Sequence, residues 1–261
     1  MLKNYANLST GQMHYRFAGS GEAVILLHMS GSSSDEYENL GNLLSDKFTV
    51  YAPDFFGFGS SDQPVQYFSF EQHAVSVIEL MDYLGIQSAY FLGNLVGANI
   101  AAHIAAEYPT RVKKLLLFHP CYNPDPNFYK NMRYAPVFSE IKVSPDGSHL
   151  SKIWARAAKY GEPAQETDDR AVCLHRAGPF GEALHWALCE DDNFESVLTN
   201  VACPTVMFAY DGMENETVKM AAKLPVLNCE FILLEHATPY FFRVAPQTAA
   251  AKVLPLIWGS E

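Results

Sequence analysis

Apolar residues recur along this chain with two alternating periods. Residues 12–17 (QMHYRF) read as a strand, followed by the turn Gly19-Ser20-Gly21 and a continuous apolar run over 23–28 (AVILLH). Runs of that kind suit strands of a parallel sheet covered on both faces. Further strands are predicted at 48–52, closed by Pro53, and at 89–92, 114–119, 205–210 and 230–234. Helical spacing fills the intervals at 35–44, 69–84, 95–107, 216–223 and 245–257. The helix over 69–84 carries its own boundaries. Ser69 and Gln72 form a capping box, and Gly85 stands just past the end. Strand–helix alternation predicts an α/β fold: a doubly wound, mostly parallel sheet with helices on both faces.

The alternation breaks between 123 and 200. Pro, Asp and Gly turns separate helical stretches there, including 150–160 and 181–189, and no strand signal is clear. The chain is thus expected to divide into a first core part (1–122), a helical insertion (123–200) and a second core part (201–261). An insertion at that place should lie over the carboxyl ends of the strands, where open α/β sheets bind ligands.

The stretch YFLGNLVGANIAAHIA, residues 90–105, runs from a strand through GNLVG into a helix. It resembles the nucleophile elbow of the α/β-hydrolase superfamily, G-x-S-x-G, with Leu95 where the serine stands. LLHMSG (26–31), APDFFGFGSSD (52–62), YPTRV (108–112) and ACPT (202–205) resemble further segments of that family. The resemblance implies an eight-stranded-type sheet and makes the insertion a helical cap.

It also implies a serine, a histidine and an acid, and here the pattern departs. Leu95 offers no nucleophile. In the family the histidine follows the last strand. Aligning on Ala245-Pro246 puts Pro239 at that position, with His236 three residues earlier. Asp211 is the best candidate acid. Counting from Pro204 favours Gly212 or Met213 instead, and Asp211-Gly212 also reads as an ordinary turn. The oxyanion amides implied by the family are those of Val96 and Ser30, with Met29 replacing the usual glycine.

The candidate catalytic residues are therefore His28, Asn94, Asp211 and His236. Met29, Ser30, Leu95, Val96, Cys121, Trp186 and Tyr240 are expected to line the pocket, and His175 and His185 to close it from the cap. Cys121 reads either as a spare nucleophile or as inert packing. His28, His119, His236 and Asp211 match no ligand spacing, so neither a metal nor another cofactor is expected.

Three functions fit. One is non-hydrolytic small-molecule chemistry of lyase, cyclase or isomerase type in an apolar capped pocket. The second is a retired hydrolase that binds a small molecule. The third is a hydrolase with a displaced nucleophile, Ser30 or Cys121.

Composition narrows the partners. With 49% hydrophobic and 18% charged residues over 261 positions, the chain has the makings of a large core. A net charge of −11 disfavours nucleic acid and anionic membrane surfaces. The expected partner is a small apolar or partly apolar organic ligand, and a homodimer is allowed. Five scattered cysteines, an odd number without a CxxC pair, point to a reducing cytoplasm, as does a first segment (MLKNYANLSTGQ) without an apolar leader.

Overall fold

Strand residues that alternate between two apolar faces need cover on both, and the chain supplies it. The computed structural model describes residues 1–258 except 124, 126, 133–140, 159–162, 192–193, 212–218 and 221–228. Among the described residues one eight-stranded sheet forms, in the order β1-β2-β4-β3-β5-β6-β7-β8. Its strands are β1 (Leu2–Asn7), β2 (Gln12–Ala18), β3 (Glu22–Leu27), β4 (Phe48–Pro53), β5 (Ala89–Asn94), β6 (Val112–Phe118), β7 (Thr205–Tyr210) and β8 (Cys229–Leu234). β1 and β2 run antiparallel at one edge, and every pairing from β4 to β8 is parallel.

The period of two explains the layers. In β3, Ile25 and Leu27 join Phe91, Leu115, Leu117 and Met207 on one face, against α2 (Phe70–Tyr83) and α3 (Val96–Glu107). Val24 and Leu26 join Leu92, Leu116, Phe118, Val206 and Phe208 on the other, against α1 (Glu38–Leu44) and the last helix. Each fully buried Leu or Phe in these layers is worth about 1.5–3 kcal/mol.

Between β6 and β7 the described residues form α4 (Phe128–Met132), α5 (Ser148–Ala157), α6 (Ala164–Ala177), α7 (Ala183–Glu190) and α8 (Phe194–Thr199). Leu184, Ala187, Leu188, Phe194 and Leu198 pack into the α2–α3 layer. Leu174 and Phe180 lie against Gly31 and Gly57, in the loops after β3 and β4. After β8 the chain closes with α9 (Phe241–Val244) and α10 (Pro246–Ile257).

The sequence patterns locate most of these elements within a few residues. Three departures have physical causes. β1 (LKNYAN) is an edge strand with all but Ala6 exposed, so it carries no apolar run to read. The helix anticipated at 35–44 begins as a 3-10 turn, Ser34–Tyr37, capped by the Ser33 hydroxyl. α6 is strongly polar, with AQETDD at its start, and is not among the helical stretches singled out within the insertion. The helix anticipated at 216–223 lies outside the described residues except for 219–220.

The capping box at α2 is present in both directions. The Gln72 amide donates to Ser69 Oγ (3.3 Å) and the Ser69 amide to Gln72 Oε1 (2.9 Å). Ser69→Ala should lower stability by about 1 kcal/mol in urea unfolding, with the slope unchanged.

Candidate active site

Among the described residues, three that are not glycine take a positive φ: Leu95 (48°), His119 (47°) and His236 (55°). Each follows the carboxyl end of a parallel strand, β5, β6 and β8 respectively. Such conformations cost about 1–3 kcal/mol apiece and gather where an edge is shaped for function. Leu95 adopts φ 48°, ψ −117° at the start of α3, and its amide donates to the Phe118 carbonyl (2.9 Å). The elbow therefore exists in the expected register. Its side chain is half-buried against the layer containing Tyr37, Phe118 and Phe241, and it has no atom able to attack a carbonyl.

Directly before it, Asn94 is fully buried. Its Nδ2 donates to Glu36 Oε1 (2.6 Å) and to the Pro239 carbonyl (2.9 Å), and its Oδ1 accepts from the Tyr210 hydroxyl (2.6 Å). The amide's whole donor capacity is used. Glu36 Oε2 accepts the Met29 amide (3.1 Å). Glu36 is 1% exposed, and burial raises its pKa above the ordinary carboxyl value even though Asn94 and the Met29 amide pull the other way. Burial, and then the charge of Glu36, push Tyr210 well above the ordinary phenol value, so it stays a donor. Glu36 also lines a cavity of about 480 Å³ with Ser33, Asp169, Arg176 and Arg243.

Glu36 was not among the sequence candidates. In SSSDEYENL it reads as a solvated residue at a helix start. Its surroundings come from chain far away in sequence: Asn94 bonds it, and Asp169, Cys173, Arg176 and Arg243 share its cavity.

The other candidates separate into groups. His28 is buried, with Nδ1 donating to the Met29 carbonyl (2.8 Å) and Nε2 accepting from the Phe55 amide (3.1 Å). Burial lowers its pKa, so the ring is a neutral brace between the loops after β3 and β4. His236 and Asp211 meet each other, not Asn94. The His236 amide donates to Asp211 Oδ2 (3.3 Å), its Nδ1 is 4.0 Å from the same oxygen, and its side chain is 94% exposed. The position aligned with the family histidine is Pro239, whose carbonyl reaches Asn94. Gly212 and Met213 lie outside the described residues.

Met29 and Val96 are buried, and so is Tyr240, beneath the Arg170 guanidinium (5.9 Å). Trp186 sets its ring against Tyr67 (6.2 Å). Cys121 exchanges two hydrogen bonds with Asn99 through its backbone, and burial pushes its thiol up to about 12, so it is protonated at neutral pH. Ser30 Oγ lies 3.3 Å from His185 Nδ1, which lies 2.7 Å from Glu182 Oε2. One nitrogen thus serves both neighbours. It cannot donate to Glu182 and accept from Ser30 together, so the three do not form a relay as they stand. His175 places its ring 5.8 Å from His149.

The raised Glu36 pKa has a definite sign. The folded chain holds this proton more tightly than the unfolded chain. The resulting stability is fully present below the unfolded value near 4.5 and is lost as pH rises through the folded value. The unfolding free energy of the wild type relative to Glu36→Gln should therefore increase as pH is lowered from about 8 towards 5 in urea titrations. Asn94→Ala should cost about 2–5 kcal/mol at neutral pH in the same assay, because it strips donors from a buried carboxylate.

The family model described as alpha/beta hydrolase fold matches residues 22–141. A 2-hydroxy-6-oxo-6-phenylhexa-2,4-dienoate hydrolase of Burkholderia cepacia is 37% identical over 137 residues, 47% of each chain. A soluble epoxide hydrolase of Corynebacterium sp. (strain C12) is 35% identical over 106 residues, 41% of this chain and 37% of that protein. The chain spans less than half the length of these curated relatives. Among solved structures, a hydrolase from Pseudomonas aeruginosa PA01 superposes with TM-score 0.80 at 19% identity, covering 98% of both chains. The enol-lactonase from Burkholderia xenovorans LB400 gives 0.78 at 18%, covering 96% and 98%. Sheet order, elbow, sequence match and superpositions agree: this chain has the α/β-hydrolase fold.

Proposed function

We propose that the protein carries out non-hydrolytic chemistry of lyase, cyclase or isomerase type on a small, partly apolar organic molecule, without a covalent intermediate at position 95. The observation that carries this reading is Leu95. The elbow keeps its strained backbone, φ 48°, while presenting a side chain that cannot attack. Proton handling falls to Glu36. A buried carboxyl with a raised pKa is suited to take a proton from one substrate atom and return it to another. In an isomerisation or cyclisation that exchange balances without a co-reactant. Asn94 and the Met29 amide would steady the carboxylate, and Ser30 and Val96 would offer backbone amides to a developing oxyanion. Five free cysteines support a reducing, cytoplasmic setting.

A second reading is favoured by one contact and by the names of the relatives. Ser30 could serve as a displaced nucleophile with His185 as its base, given their 3.3 Å separation. It requires His185 to turn so that one nitrogen faces Ser30 and the other Glu182.

Treatment of the purified protein with a fluorophosphonate, followed by peptide mapping, separates the two. The same protein is assayed on p-nitrophenyl esters, a 2-hydroxy-6-oxo-dienoate and an epoxide, the last two being the substrate types named for two relatives. We expect no stoichiometric label and no hydrolysis above that of a Ser30→Ala variant. Labelling of Ser30, or turnover lost on Ser30→Ala, overturns the non-hydrolytic reading.

A further inference from the structure

Away from the elbow, three potential ligands converge on the outer side of α2 and α3. His103 and Glu107 are one turn apart on α3, and Glu71 comes from the first turn of α2. His103 Nδ1 lies 3.6 Å from Glu71 Oε1 and 4.0 Å from Glu107 Oε1. One ligand atom from each of the three residues falls within 4.8 Å of the other two.

The imidazole is held rigidly. It is 1% exposed and sits between the rings of Phe70 (5.7 Å) and Phe194 (6.1 Å). Its Nε2 is 3.4 Å from Asp191 Oδ2, a buried carboxylate at the end of α7. With the Nε2 proton facing Asp191, Nδ1 carries a lone pair. That nitrogen has no hydrogen-bond partner. The buried Nδ1 lone pair therefore has no donor, and it faces two carboxylates, one of which also accepts from Ser69; a positive centre between the three would satisfy it.

A proton on Nδ1 answers this poorly, since 3.6 Å is too long for a hydrogen bond. A metal ion answers it well. Across a tetrahedral zinc ion with bonds of about 2.0–2.2 Å, ligand atoms stand about 3.3–3.6 Å apart. The two glutamates are 53% and 40% exposed, so they have room to close the remaining gap and leave the ion a path from solvent.

We propose that His103 Nδ1, Glu71 and Glu107 bind one divalent transition-metal ion of zinc type, with water completing the shell. The imidazole selects against calcium and magnesium, which prefer oxygen donors throughout. Asp191 is the outer carboxylate that orients the histidine. The ion joins α2 to α3, and through Asp191 it reaches the end of α7. Its occupancy is thereby linked to how the helices between β6 and β7 are seated on the core.

The test is calorimetric titration of ZnCl₂ into the EDTA-treated full chain, with Mg²⁺ as the control ion and Co²⁺ absorption as a geometric readout. We expect one saturable equivalent of Zn²⁺, a higher Tm on binding and no Mg²⁺ uptake. Glu71→Gln and Glu107→Gln alter exposed side chains, so the fold persists, as far-UV circular dichroism will verify. Each should weaken Zn²⁺ by tenfold or more, and the double variant should lose the tetrahedral Co²⁺ bands. Asp191→Asn should weaken binding by roughly 10–100-fold. Absence of saturable Zn²⁺ uptake overturns the proposal. So does uptake unchanged in the double variant, which would place the ion elsewhere, for example on the free cysteines.

Discussion

The carboxyl edge of this sheet depends on how closely α3 lies against β3 and β5. A Cβ on Gly93 would stand 2.3 Å from the Gly97 carbonyl oxygen, and one on Gly97 would stand 2.2 Å from the Leu27 oxygen. Both distances are inside van der Waals contact with backbone, which cannot swing away as a side chain can. Strand and helix are pressed together, and the chain must reverse between them within one residue. That residue is forced to φ 48° whatever its side chain. The elbow is thus a packing device before it is a catalytic one, and it outlasts the serine it ordinarily presents. A leucine accepts about 1–3 kcal/mol of strain there because the surrounding contacts over-determine the backbone.

The same reversal fixes what happens beneath it. With position 95 lifted to the edge, position 94 points into the protein, and an asparagine there fills both its donors and one lone pair of its oxygen. They go to Glu36 after β3, Tyr210 at the end of β7 and the Pro239 carbonyl after β8. In the family resemblance those three regions supply oxyanion, acid and histidine. Here they are tied through one neutral amide, and the carboxyl and the phenol among them both have their pKa moved upward by burial. A low-dielectric network of this kind is costly when broken and rigid when whole. It holds the loops in place without any charge having to move.

The fold was legible because its signals are local. Apolar runs at β3 and β7, the Ser69–Gln72 box and the two elbow glycines each announce themselves within a few residues. β1 was hidden because an exposed edge strand needs no apolar run, and α6 because its polar first turns look like a loop in composition. The site was legible only in part, for a different reason. Asn94 and Leu95 could be read from the motif, but Glu36 takes its partner Asn94 from 58 positions away and its cavity neighbours Asp169, Arg176 and Arg243 from farther still. Nothing in DEYENL records that. His236 shows the converse: the residue type and the strand before it suggested a catalytic base, and its left-handed turn sends it into solvent beside Asp211. His103 lies within the apolar run of α3 and carries no motif of its own. Only the approach of Glu71 from a different helix sets it among other ligands.

These differences bear on what the hydrolase-named relatives imply. The family match ends at residue 141, before β7 and β8, so positions 211, 236 and 239 lie outside it. Within the match, Gly93 and Gly97 are residues that close packing demands, and position 95, where the resembled motif has its nucleophile, is a leucine. Similarity of this kind measures how strongly the scaffold constrains its own sequence. It says little about which bond is made or broken, because function resides in the site and not in the sheet that holds it. The shared fold and a leucine at position 95 are therefore compatible. The carboxyl network that spans the loops after β3, β7 and β8 is the feature on which the proposed proton transfer rests.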